Sequence, residues 1–240
     1  MHARGSFRSW PVAGAFVPGC DGLVRAELGG MRPQPRVINR PVDAVVFDIG
    51  KVLLDWNPRY YYRRFFDSEA AMDAFLVEAL PPDWVAEMDA GKPAAVAIAE
   101  RQRLFPRHAA LIARWTEGWS TMLRGPIEGS VNILAELRAR RTRLLALTNF
   151  STETWPLALA RFDFLSWFED AVVSGEHGVV KPDPRIFEIA IRRFRLDPQR
   201  AVFIDDLAGN VAAANASGLR ALHFTGAPRL RADLEELGLL

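Results

Sequence analysis

Five short apolar runs recur along the chain from residue 44 onward: "AVVFD" (44–48), "RLLALT" (143–148), "AVVS" (171–174), "AVFID" (201–205) and "ALHF" (221–224). They are apolar at consecutive rather than alternating positions, which predicts parallel strands buried on both faces. Between the later runs the period changes to that of a helix. "SVNILAELRARR" (130–141) puts Val131, Leu134 and Leu137 on one face, and "DPRIFEIAIRRF" (183–194) does so with Ile186, Ile189 and Ala190. "GNVAAANASG" (209–218) reads as a third helix, stopped by Gly218. Strands alternating with helices predict an α/β protein, a three-layer Rossmann-like sandwich around a parallel sheet.

The interval between the first two strands is too long for one crossover. Residues 57–125 carry helical patterns, punctuated by Pro81-Pro82, Gly91 and Pro93, and contain no convincing strand. Three or four amphipathic helices are expected there, forming an all-helical insertion. The core is then drawn from 41–56 and 126–240. Residues 1–40 are rich in Gly, Pro and Arg and lack a sustained period. They read as a disordered tail with Met31 as the natural start, and their broken apolar stretch makes a poor signal peptide.

Composition narrows the classes. The 240 residues include 30 basic and 29 acidic side chains, so nothing electrostatic favours nucleic acid or a membrane surface. No apolar run approaches the ~18–20 residues of a membrane span. The single cysteine, Cys20, excludes an internal disulfide and suits a reducing, cytoplasmic setting. Only Lys51, Lys92 and Lys181 supply lysine, so each is a candidate place for a compact ammonium, set against the ordinary reading of a surface lysine.

The polar residues that end the strands are the informative ones. Asp48 ends the first, Thr148-Asn149 the second and Asp205-Asp206 the fourth, while Lys181 follows the third. The carboxyl ends of parallel strands share one edge, where sites form. Three carboxylates on one rim repel unless a cation lies among them. Hard oxygen donors with no His or Cys nearby suit Mg²⁺ rather than zinc. The four histidines, His2, His108, His177 and His223, are scattered and read as structural or surface groups.

In order and spacing, "VVFDIGKVLL", "LLALTNFS", "VVKPDPRIF" and "VFIDDLAGNV" resemble the four motifs of the haloacid dehalogenase (HAD) superfamily, over about residues 43–225. The resemblance implies an HAD-like core with a C1-type helical cap at 57–125, and a Mg²⁺-dependent phosphatase acting on a small phosphorylated metabolite such as a sugar phosphate. It also implies roles. Asp48 is the nucleophile that forms an aspartyl-phosphate; Asp48, the Gly50 carbonyl, Asp205 and Asp206 hold the metal. Thr148, the Asn149 backbone N–H and Lys181 bind the phosphoryl group.

Gly50 departs from the commoner pattern, in which an aspartate two residues after the nucleophile serves as acid and base. It resembles the Asp-x-Gly branch, which includes glucose 1-phosphate phosphatases. A glycine there is expected to serve unusual backbone geometry or a close approach of ligand, and Lys51 is expected to face solvent. Two alternatives follow: a 2-haloacid dehalogenase, which needs no acid but also no paired aspartates, and a catalytically weak binding module. On the insertion, Trp56, Arg59, Tyr60, Arg63, Arg64, Trp84, Trp115 and Trp119 are candidates for contacting the leaving group, the aromatics by stacking and the arginines by binding a second anion.

Overall fold

The computed structural model describes residues 41–240; the expectations for a tail at 1–40, with Met31 as start, and His2 and Cys20 lie outside them. Strands β1 (Ala44–Phe47), β4 (Arg143–Thr148), β5 (Asp170–Val173), β6 (Ala201–Asp205) and β7 (Arg220–His223) form a parallel sheet of order β5-β4-β1-β6-β7. The central strand, β1, is paired on both sides, Val46 opposite Leu145 and Phe203.

Consecutive apolar residues divide between the sheet's two faces. Val45, Phe47, Leu144, Ala146, Val202 and Ile204 enter one core, against helices α7 (Glu128–Ala139), α8 (Trp155–Arg161) and α11 (Ala227–Glu236). Ala44, Val46, Leu145, Leu147, Ala201 and Phe203 enter the other, against α9 (Pro184–Phe194) and α10 (Ala208–Ala216). The three layers foreseen from the strand pattern are present, and α8 and α11 are additions to the helices foreseen. The helix faces rotate slightly from those read in the sequence. Ile133 joins Leu134 and Leu137 in the core while Val131 is only partly buried, and Phe187 and Phe194 displace Ile189.

The stretch between the first two sheet strands is more broken than foreseen. It holds α1 (Arg59–Tyr62), α2 (Glu69–Ala79), α3 (Pro82–Asp89), α4 (Ala94–Leu104), α5 (Ala109–Ile112) and α6 (Trp115–Met122), with short 3₁₀ turns at Arg63–Phe65 and Pro106–His108. The stretch from Tyr60 to Leu80 is not one helix: it opens at Phe66, and Ser68 starts α2 afresh, its hydroxyl accepting the Ala71 N–H at 3.2 Å. Pro82 and Pro106 sit at the first positions of their helices, where the missing N–H costs nothing.

These helices close on a core of their own around Tyr62, Phe75, Met72, Ile112 and Trp115. A strand pair also occurs where none was foreseen. β2 (Leu54–Trp56) runs antiparallel to β3 (Leu123–Pro126), so the two chain crossings leading into the helices are hydrogen-bonded to each other. β3, "LRGP", has almost no strand propensity; pairing with β2, and Arg161 donating to the Leu123 and Ser120 carbonyls, hold it extended.

Candidate active site

The carboxyl-end edge of the sheet gathers the residues that the strand pattern singled out. Asp48 follows β1, and its N–H continues the ladder to the Ile204 carbonyl at 2.9 Å. Asp205 ends the neighbouring β6 and is fully buried. Asp48, Asp205 and Asp206 each present a carboxylate oxygen within 4.8 Å of the others, an all-oxygen set that fits a hard divalent cation. Lys181, 4% exposed, reaches between two of them: Nζ lies 2.8 Å from Asp48 Oδ1 and 2.7 Å from Asp205 Oδ2, and donates to the Leu147 carbonyl at 2.9 Å.

One ammonium does not neutralise three acids in this setting. Burial pushes the Asp48 carboxyl up to about 7; Asp205 and Asp206 push the same way, and Lys181 opposes them. Asp206 is raised as well, by burial and by the Asp205 charge, with Lys51 and Lys181 opposing. Burial alone lowers the Lys181 ammonium, but Asp48 and Asp205 outweigh it and hold the group above the ordinary lysine range. The surplus negative charge is what a bound cation offsets.

Other contacts aim these groups. Asp205 accepts from Asn210 Nδ2 at 2.9 and 3.0 Å and from the Leu207 N–H at 2.8 Å, which fixes its carboxylate plane. Asn149 spends its side-chain amide on Lys181: Nδ2 donates to the Lys181 carbonyl at 3.0 Å and Oδ1 accepts the Lys181 N–H at 2.8 Å. Neither role was singled out from the chain: Asn149 is 32 residues from Lys181, and Asn210, five residues past Asp205, reads only as part of a helix. Thr148, 1% exposed, keeps its hydroxyl oxygen buried and without a hydrogen-bond partner. Such a group is costly unless a ligand completes it.

One expectation is corrected here. Gly50 is not where the backbone is unusual. Its neighbour Lys51 takes the left-handed conformation, φ 57°, while Gly50 forms a bridge with Leu54. A Cβ placed on Gly50 would meet nothing within 4 Å, so the glycine leaves open space rather than meeting a steric demand. The arginines foreseen as anion binders are otherwise engaged: Arg59 pairs with Asp73 and Glu69, Arg63 with Glu69, and Arg64 donates to the Tyr61 carbonyl at 3.0 Å. Lys51 is exposed and lies on the rim of the site, its charge acting on Asp206. Lys92 pairs with Glu87 and Glu100 at the surface. His108 contacts Glu78 at 3.2 Å, and His223 donates to the Asp206 carbonyl at 2.9 Å.

A cavity of about 790 Å³ lies over the cluster, walled by both the sheet-edge loops and the helices α2, α3 and α6. Trp56, Trp115 and Trp119 line it; Trp84 does not, its indole N–H bonding the Ala97 carbonyl at 3.3 Å. Asp89, the last residue of α3, lines it too and was not singled out from the chain. Burial pushes its carboxyl up to about 7, against the Lys181 charge and a hydrogen bond from the Ser151 backbone.

Such a sheet edge, with three carboxylates and a buried lysine, fits a hydrolase of the α/β class. The chain belongs to the haloacid dehalogenase-like hydrolase family, whose model matches residues 42–218. Among curated relatives, a mouse protein, acyl-CoA dehydrogenase family member 10, is 32% identical over 109 residues, 43% of this chain and 10% of that protein. A glyceraldehyde 3-phosphate phosphatase of Methanopyrus kandleri is 33% identical over 96 residues, 39% of this chain and 41% of that protein. The chain thus matches well under half the length of these relatives. A magnesium complex of an HAD-family enzyme from Bacteroides thetaiotaomicron superposes with a TM-score of 0.63 at 18% identity, covering 78% of this chain and 95% of that one. That likeness bears on the fold.

Proposed function

We propose that the protein is a Mg²⁺-dependent phosphatase that hydrolyses a small organic phosphate monoester through an aspartyl-phosphate on Asp48. The reading is carried by the convergence of Asp48, Asp205 and Asp206 within 4.8 Å, with Lys181 bridging two of them. Residues 57–125 then act as a cap over a core formed by 41–56 and 126–240, in a reducing cytoplasm. A phosphatase name on a relative such as the Methanopyrus protein supports the class.

Asp48, Asp205, Asp206 and the Gly50 carbonyl would hold the cation. Bound there, Mg²⁺ supplies positive charge that lets an anionic nucleophile approach an anionic phosphate. An Asp48 carboxylate oxygen attacks phosphorus, the bond to the alcohol oxygen breaks, and water then attacks phosphorus to release phosphate and restore Asp48. Lys181 offsets charge on both reacting anions, and the free hydroxyl of Thr148 and the Asn149 N–H receive phosphoryl oxygens. The paired acids disfavour the dehalogenase alternative, because displacement of halide at carbon needs no cation.

The test is turnover of p-nitrophenyl phosphate with Mg²⁺ and its loss in chelator. Release of halide from 2-chloropropionate in chelator, with no phosphate release, would overturn the reading.

A further inference from the structure

Resting on the phosphatase reading for the phosphoryl end, we infer that the leaving group is an uncharged, predominantly apolar alcohol rather than a sugar or a second anion. The cavity wall away from the acid cluster is built from Trp56, Leu80, Val85, Met88, Trp115 and Trp119. Its volume, about 790 Å³, is in the range that holds a drug-sized molecule and far exceeds a three-carbon phosphate.

The charges on the wall argue the same way. Besides the cluster and Lys181, they are Lys51, Arg59, Asp83, Asp89 and Glu153. Arg59 is held by Asp73 and Glu69, and the Lys51 charge acts on Asp206. With Asp89 holding its proton, the Asp83 and Glu153 charges balance those of Lys51 and Arg59, so the wall has no surplus positive charge to draw a substrate carboxylate or second phosphate. The amides that would bind sugar hydroxyls are committed too. Asn149 is tied to Lys181, Asn210 to Asp205, and Asn57 Oδ1 accepts the Arg59 N–H at 3.0 Å. Thr154 is bonded to Ser151 Oγ at 2.8 Å. Along the apolar wall a polyol would lose water and regain few hydrogen bonds.

The experiment compares n-octyl with ethyl phosphate, which share the same leaving-group chemistry. In the full chain with Mg²⁺, kcat/KM should be at least about 100-fold higher for octyl, and phosphoserine and glucose 6-phosphate should fall below octyl by a similar factor. Leu157→Glu, at a cavity position already 55% exposed, should lower octyl phosphate kcat/KM at least about 10-fold and narrow the octyl-to-ethyl ratio. Calorimetry with n-octylphosphonate against ethylphosphonate reads the same preference without turnover. Absence of p-nitrophenyl phosphate hydrolysis would remove the phosphatase reading but not this result. Equal binding of the two phosphonates, or a preference for phosphoserine or the sugar phosphate, would overturn the inference.

A separate observation concerns the acid that position 50 lacks. The geometry points to Asp89 as the group that protonates the departing alcohol oxygen and then takes a proton from the attacking water. It lies on the same cavity as Asp48 and Lys181, delivered by the helical segment. Its own carbonyl accepts from Ser174 Oγ at 2.6 Å, and that hydroxyl accepts the Phe150 N–H at 3.0 Å, so it is fastened to the loop that follows Thr148. The proton balance closes: the acid proton leaves with the alcohol, and one proton of water replaces it as the phosphorus–Asp48 bond breaks.

Asp89→Asn should lower kcat on octyl phosphate ~10²–10⁴-fold. On p-nitrophenyl phosphate, whose leaving group needs no proton, it should give a burst of about one nitrophenol per enzyme before slow turnover. A structural role would reduce both substrates alike without a burst. That outcome, or no loss on octyl phosphate, would overturn the assignment.

Discussion

Lys181 shows how one side chain sets the terms for its neighbours. Its ammonium sits between Asp48 and Asp205 with almost no access to water, and the Asn149 amide clamps its backbone. Asp48→Asn removes the attacking oxygen but keeps shape and one Lys181 partner. Turnover of p-nitrophenyl phosphate is expected to fall about 10⁴-fold or more, with the melting temperature changing by only a few degrees. Asp89 gives a pH signature. Its folded pKa is raised, by burial first, to about 7 from 3.8, so between those values the folded protein holds a proton that the unfolded chain releases. This share of stability is full below about pH 4 and is lost as pH rises through about 7. Thermal melts from pH 4 to 8 should show a shallower decline for Asp89→Asn than for wild type.

The segment that carries Asp89 is seated by close backbone contact. Gly91, just past α3, has φ 94°, and a Cβ on it would lie 2.9 Å from the Gly175 carbonyl oxygen. Gly91→Ala meets both the left-handed penalty and that clash, and should destabilise the protein by more than ~1 kcal/mol, read as a lowered denaturation midpoint. The strands of the main sheet were legible because consecutive apolar residues admit few other placements. The β2–β3 pair was not: "LDW" and "LRGP" lack a strand pattern, and their pairing exists only because the chain leaves and re-enters at adjacent points. The helices between them were legible as helical but not in number, since Phe66–Ser68 interrupts an apolar pattern that continues on either side.

Across the molecule, one sheet-face core and the core among the helices meet at one acidic cavity. A cation that binds only the folded site should stabilise the entire chain: at about 100 times its dissociation constant, Mg²⁺ is worth ~2.7 kcal/mol. Melts at pH 7.5 should rise with Mg²⁺, return in chelator, and lose that response in Asp206→Asn. Among the described residues, no helix is long and apolar enough to cross a membrane.

The order of apolar runs and the polar residues ending them were enough to specify a parallel sheet and to nominate Asp48, Thr148, Asn149, Lys181, Asp205 and Asp206, because strand ends in such a sheet have one common edge. Folding alone settled that Asn149 grips Lys181, that Gly50 leaves space while Lys51 bears the left-handed backbone, that Arg59 and Arg63 turn to acids of the helical segment, and that Asp89 enters the cavity. Those outcomes depend on which side chains tertiary packing brings face to face, and no local period encodes those directions.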